Sequence, residues 1–303
     1  MEIVKRLYLE KTEKDSFQKT PCVIAMGTFD GLHKGHLKLI SDVLEISSVN
    51  DLQSVVFVIE LHEKGILSHA ERRSMLESMG IDILVECPFS REFMEMSPDT
   101  FARSILCDTL HASFAAVGDD YRFGFHRAGD AVTLKELGRI YGFKTDIAEK
   151  EMYLSEEISS TRVRDALTAS DMQLVEALLG RPYKISGTVR HGKHLGSQYD
   201  MPTVNLLPPA DKLLPKDGVY AGTVEIPDGS KYTGLTNIGF RPTVNGTHRT
   251  IETTLLNYSG DLYGADICLS LNHFIREEMK FPSMEKLREQ IEKDKLTAES
   301  FYT

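Results

Sequence analysis

Two histidines three residues apart, His33 and His36, lie among Gly27, Gly31 and Gly35 in the decapeptide GTFDGLHKGH. The decapeptide follows the apolar run Val23, Ile24, Ala25, Met26 and precedes an amphipathic segment beginning at Leu37, which predicts a strand-to-helix turn. The first amides of a helix lack partners within it and the helix dipole adds partial positive charge there, so phosphate oxygens bind well at such a place. The three glycines remove side chains where a triphosphate needs close approach, and the two histidines offer donors toward charge developing at a phosphorus. The combination points to nucleotide chemistry. The same residue types also serve simpler ends, since glycines make turns and a histidine caps or packs.

The elements that must hold this turn are legible as a pattern. Short apolar runs at Val23 to Met26, Val55 to Ile59, Ile81 to Val85, Phe114 to Val117 and, more weakly, Phe143 to Ala148 alternate with helical spacing such as Leu37, Ile40, Leu44. This is α/β grammar and predicts a Rossmann-like domain with a mainly parallel sheet. Thr133 and Glu136 match a capping box, with Gly142 as the stop of that helix. In open sheets of this kind ligands bind beyond the carboxyl ends of the strands, where GTFDGLHKGH and VGDDYRFG both fall. After Leu179 the chain turns to short β runs among Gly, Pro, Ser and Thr, which predicts a small antiparallel β-barrel. A terminal helix follows, with Ser283 as N-cap and Met284, Leu287 and Ile291 on one face. The expected domains are 1–182 and 183–303.

At 303 residues the chain has room for two domains with separate cores. Its net charge of −10, from 45 acidic and 35 basic residues, argues against a broad basic surface for nucleic acid. The four cysteines, Cys22, Cys87, Cys107 and Cys268, show no CxxC pair and no metal-ligand spacing, as expected of reduced thiols. Charges throughout MEIVKRLYLEKTEKD leave neither a signal peptide nor a membrane span in view, and a cytoplasmic enzyme is expected.

SSTRVR suits a second helix N-terminus: Ser159, Ser160 and Thr161 offer hydroxyl and amide donors, and Arg162 and Arg164 supply fixed charge for phosphates. An N-cap with surface-paired arginines would use the same residues. GTFDGLHKGH resembles the signature of nucleotidyltransferases that attach AMP to a phosphorylated acceptor. VGDDYRFGFHRAGD (117–130) and EISSTRVRDAL (157–167) follow in the order and spacing of the adenylyltransferase half of prokaryotic bifunctional riboflavin kinase/FAD synthetases. The resemblance implies that Gly27, Phe29, Asp30, Gly31, Gly35, Ser159, Ser160, Thr161 and Arg164 handle ATP, with His33 and His36 catalytic. It places His62, Asp120, Phe123 and Arg127 toward the flavin. Asp120 suits a ribose, a ring edge or a metal, and Phe123 a ring face, while both also suit a turn and a core. One departure stands out: VIELHE (58–63) replaces the family's TFxPHP, keeping His62 and losing both prolines.

In the second domain, MPTVN (201–205) resembles the PTAN motif of riboflavin kinases, with Val204 for Ala. Thr203 and Asn205 stand two apart on a strand and so share a face, where a hydroxyl and an amide oxygen can meet a Mg2+ that bridges ATP phosphates. Gly192 and Gly196 lie in GTVRHGKHLG, whose backbone amides can cradle phosphate. GVYAG, TNIGFRPTV and TIETTLL complete the family's order. Glu252 falls where the family keeps the carboxylate that accepts the proton of the attacking ribityl hydroxyl. Arg276 suits either a flavin loop or a structural role. Departures beside this site are Ser197, Asp200 and Asn257.

The resemblance covers nearly the whole chain. It implies a bifunctional enzyme that phosphorylates riboflavin to FMN and adenylylates FMN to FAD, with ATP as co-substrate and Mg2+ as cofactor, and with neither nucleic acid nor membrane as partner. VIELHE leaves an alternative: a riboflavin kinase whose N-terminal half has weak, altered or no transferase activity and serves as a nucleotide- or flavin-binding regulatory or assembly module.

Overall fold

The computed structural model describes residues 1–4, 20–60, 64–190, 203–243 and 246–302, with the backbone alone at 241–243 and 246–248. His62, Gly192, Gly196, Ser197, Asp200 and Pro202 therefore lie outside the residues or side chains described. The chain forms two compact units, Met1–Ser159 and Ser160–Thr303.

The first unit is built on strands β1 (Glu2–Val4), β2 (Cys22–Gly27), β3 (Gln53–Glu60), β4 (Ile83–Pro88), β5 (Ala112–Gly118) and β8 (Lys144–Ala148). They form one sheet in the order β1-β4-β3-β2-β5-β8, with every pair parallel. Helices α1 (Lys34–Asn50), α2 (His69–Ser78) and α5 (Ala131–Tyr141), with the short turns α3 (Arg91–Met94) and α4 (Pro98–Thr100), complete it. Two small hairpins carry β6 (Arg122–Phe123) with β7 (Gly129–Asp130), and β9 (Met152–Tyr153) with β10 (Glu156–Glu157). The central strands are apolar on both faces because helices cover both. Val23 and Ala25 of β2 pack with Ile40 and Val43 of α1, while Ile24 and Met26 enter the opposite layer with Phe57, Phe101 and Leu106.

All five predicted strands are present. The sixth, β1, is three partly exposed residues with no periodicity to reveal it. Phe101–Thr109 winds as a π-helix, burying Phe101, Ala102, Ile105 and Leu106. Gly142 does stop α5, in a left-handed conformation, but the helix opens earlier than expected. Asp130 is its N-cap, accepting from both the Thr133 N–H (2.8 Å) and the Thr133 hydroxyl (2.9 Å), so Thr133 is the third residue of the helix.

The second unit begins with α6 (Ser160–Ala169) and α7 (Met172–Leu179), then β11 (Tyr183–Arg190), β12 (Thr203–Leu206), β13 (Gly218–Glu225), β14 (Lys231–Thr243), β15 (Gly246–Leu255) and β16 (Asp266–Arg276), and ends with α8 (Met284–Ser300). The six strands close into a barrel in the order β11-β12-β15-β14-β13-β16, all antiparallel. Ser283 caps α8 as predicted, accepting from the Lys286 N–H. The two helices before residue 182 group with the barrel: Met172, Val175, Leu178 and Leu179 are buried, and the Ser170 and Tyr220 hydroxyls meet at 3.0 Å. No helix among the described residues is long and apolar enough to cross a membrane.

Candidate active sites

Strand β2 lies between β3, which follows it through α1, and β5, which returns on its other side. The sheet therefore reverses its winding at the carboxyl end of β2, where a ligand crevice is expected. GTFDGLHKGH starts at that end. Its backbone takes left-handed conformations at Phe29 (φ 46°), Gly31 (φ 86°) and Leu32 (φ 44°). Phe29 and Leu32 pay steric strain for this, and their complete burial holds them in place. Gly31 also has no room for a side chain: a Cβ would come within 2.9 Å of Ile66 Cγ2. Buried Asp30 accepts from the Ile66 N–H at 2.7 Å, tying the loop to the segment before α2.

His33 is the N-cap of α1. Its Nδ1 accepts from the His36 N–H at 3.3 Å, which leaves the neutral ring's proton on Nε2. The two imidazoles stack, with centroids 3.6 Å apart and planes 17° from parallel, and the ring of Phe29 lies 5.1 Å from that of His36. Gly35 leaves space for this: a Cβ there would stand 3.3 Å from His33 Nδ1. Burial, reinforced by His33, drives the His36 pKa well below its ordinary value, and His36 Nδ1 is buried with no hydrogen-bond partner among the described residues. His36 is thus a neutral imidazole. Capping and chemistry are compatible here, because the cap itself orients both rings.

Beyond β5 and β8 stands a charged cluster. Lys150 Nζ lies 2.6 Å from Glu157 Oε2, 3.8 Å from Asp120 Oδ2 and 4.0 Å from Asp119 Oδ1. The bond to Glu157 holds the ammonium above its usual range. Asp120 is exposed. Phe123 is buried, packed on Tyr121 (5.6 Å) and Phe101 (5.5 Å) within the core. Arg127 is exposed in a left-handed turn. Of VIELHE, residues 58–60 end β3. Glu60 accepts from the buried Arg72 and lies 3.3 Å from His69 Nε2, and Arg72 also reaches Glu86 at 3.2 Å. Glu60 and His69, with Thr28 and Asp30 of the glycine-rich loop, line one small pocket.

Ser159 ends the first unit, and Ser160 and Thr161 open α6. Arg164 follows one turn after Ser160 and so shares its helix face.

In the barrel, register places Glu252 of β15 directly opposite Asn205 of β12 on one side and Asn237 of β14 on the other. Thr203 pairs with Thr254 two residues along. Opposed residues share a face, so Thr203, Asn205, Glu252 and Asn237 form one accessible polar patch, while Ile251 and Thr253 point inward and are fully buried. A carboxylate between two amides beside a hydroxyl can accept a proton and offers hard oxygens to a cation. Asn237 was not singled out by its motif; the inward alternation of Thr236 and Ile238 is the signal that identifies it. Arg276 is engaged with Asp294 of α8.

A family model described as riboflavin kinase matches residues 179–302, and one described as FAD synthetase matches residues 15–162. A protein of Haemophilus influenzae named bifunctional riboflavin kinase/FMN adenylyltransferase is 34% identical over 291 residues, covering 93% of this chain and 94% of that protein. Its namesake in Escherichia coli K12 is 36% identical over 293 residues, covering 93% of each. A crystal structure described as a macrolide-efflux protein from Streptococcus pneumoniae superposes with a TM-score of 0.86 at 28% identity, covering 99% of both chains. That description names transport, whereas both family models and the more similar relatives name flavin chemistry.

Proposed function

Because the chain belongs to the bifunctional riboflavin kinase/FMN adenylyltransferase family, we propose that each half of the chain runs one of the two reactions with the residues described above. The barrel phosphorylates riboflavin to FMN with ATP. The parallel-sheet half adenylylates FMN to FAD and releases pyrophosphate. By function, residues 1–182 constitute the adenylyltransferase and 183–303 the kinase, both acting in the cytoplasm; this division assigns α6 and α7 to the transferase although they group with the barrel as a compact unit. The observation that carries this reading is the Asn205–Glu252–Asn237 register in one unit together with the stacked His33–His36 pair at the sheet's switch point in the other.

In the kinase, Glu252 takes the proton of the ribityl hydroxyl as it attacks the γ-phosphate. The Thr203 hydroxyl and Asn205 amide oxygen are hard donors on one face and fit Mg2+, which when bound neutralises phosphate charge. Gly192 and Gly196 are assigned to the ATP phosphates.

In the transferase, little covalent work falls to the protein, and positioning with charge stabilisation carries the step. The FMN phosphate attacks the α-phosphorus of ATP. Gly27, Phe29, Asp30, Gly31 and Gly35 shape the turn around the phosphates, and His33 and His36 donate hydrogen bonds to oxygens of the α-phosphate and of the departing pyrophosphate. Ser159, Ser160, Thr161 and Arg164 receive phosphate, and His62, Asp120, Phe123, Arg127 and, in the barrel, Arg276 are assigned to the flavin. The Phe123 assignment requires its buried ring to become accessible on binding; the Arg276 assignment competes with its pairing to Asp294.

Incubation with riboflavin, ATP and Mg2+ followed by separation of the flavins tests the reading. FMN should appear first and FAD after it. FMN that accumulates without FAD at any enzyme concentration overturns the bifunctional reading in favour of a kinase with a binding module, and absence of both products overturns it entirely.

A further inference from the structure

Adenylyl transfer brings two polyanions, ATP and FMN, into one crevice. Yet beyond the carboxyl ends of β5 and β8 the carboxylates of Asp119, Asp120 and Glu157 gather around the ammonium of Lys150. The arrangement is fixed by backbone. Gly118 of β5 pairs in register with Ala148 of β8, so Asp120 and Lys150 each stand two residues beyond a paired position. The β9–β10 hairpin then folds back, with the Ile158 N–H donating to the Glu151 carbonyl at 2.8 Å, and delivers Glu157 to the same point. Glu151, next to Lys150, has its Cβ 3.8 Å from where a Gly35 side-chain carbon would be, which sets this cluster against the histidine loop. The Lys150 side chain is the enclosed member, 30% exposed against 52%, 72% and 52% for Asp119, Asp120 and Glu157.

We propose that Lys150 is a positioning residue of the transferase: it compensates the surrounding carboxylates so that the phosphates of ATP and FMN can enter, and it holds Asp120 toward the crevice while doing so. The inference rests on the transferase reading above and adds to it a residue that no motif marks. Charges this close act on a phosphate within a Debye length, and the low-dielectric walls of a crevice focus the effect. The role is exercised on substrate entry, so it belongs in KM rather than in kcat.

The test measures adenylyl transfer from ATP to supplied FMN at low and high salt, with riboflavin phosphorylation as an internal control for folding. Lys150→Met should raise KM for both ATP and FMN about tenfold at low ionic strength, less at high salt. Its kcat should stay within about twofold of wild type and its kinase activity should be unchanged. Lys150→Met/Glu157→Gln restores the original net charge of the cluster and should recover most of the loss. Glu157→Gln alone, at an exposed position, should lower KM. Wild-type KM values in Lys150→Met, a double variant as impaired as Lys150→Met, or an unchanged or raised KM in Glu157→Gln would each overturn the proposal while leaving the transferase reading intact. A wild-type enzyme that forms no FAD would overturn both.

Discussion

Arg276 closes a two-pronged ion pair on Asp294, with Nε 3.1 and 2.9 Å from the two carboxylate oxygens and Nη2 2.6 Å from Oδ2. Gln290 adds a bond of 2.8 Å to the same carboxylate, whose side chain is only 3% exposed. The pair fastens the last barrel strand to α8. Removing the guanidinium strands a buried charge, so Arg276→Leu should cost about 3–5 kcal/mol, read by urea unfolding. A variant of native stability that loses only riboflavin or FMN affinity would instead assign Arg276 to the flavin.

Glu252→Gln keeps the shape of the patch between Asn205 and Asn237 and removes the base. FMN formation should fall by about 10²- to 10⁴-fold, the range for loss of a general base. Adenylylation of supplied FMN should be unaffected, as measured by FAD release. Loss of both activities in a folded protein would end the proposed division of labour.

His36 has its pKa driven well below the ordinary value of about 6.5, so it is neutral in the folded protein where an exposed histidine begins to charge. The unfolded chain binds the proton more readily. Stability from this group is therefore complete above pH 6.5 and is lost as pH falls from there toward the folded pKa. Chemical unfolding at pH 7.5 and 5.0 should show a decline that is smaller in His36→Gln. The same variant should lose FAD formation and keep FMN formation.

Gly31→Ala forces a Cβ onto a backbone with φ 86° and against Ile66. The substitution should cost at least about 1–2 kcal/mol and displace the loop, so FAD formation should fall steeply. Riboflavin phosphorylation serves as the control.

The fold was most legible where burial is two-sided. Val23 to Met26 and Val55 to Ile59 are continuous apolar runs because helices cover both faces of β2 and β3, and their shortness between turns favours strands over buried helices. Thr133 and Glu136 imitate a capping box and so suggest too late a start for α5, while the residue that accepts the amide is Asp130, three positions earlier. In the barrel, the two-residue spacing of Thr203 and Asn205 revealed a shared face. Their alignment with Glu252 and Asn237 depends on strand register across β12, β15 and β14, which no local pattern encodes. The Lys150 cluster was invisible for a similar reason, since its members come from the ends of two parallel strands and a hairpin.

The two sheets differ in what they offer a neighbouring molecule. The barrel closes on itself and has no open border, whereas the parallel sheet ends in two. Charged Lys144 and Asp146 stand at the border on β8, and at the other border, among the described residues, Glu2, Ile3 and Val4 pair with the strand ILVECP. Stripping those three residues would bare the amides and carbonyls of β4 to any passing strand. Three residues at the margin of the sheet thereby satisfy the backbone of a strand that would otherwise form its edge.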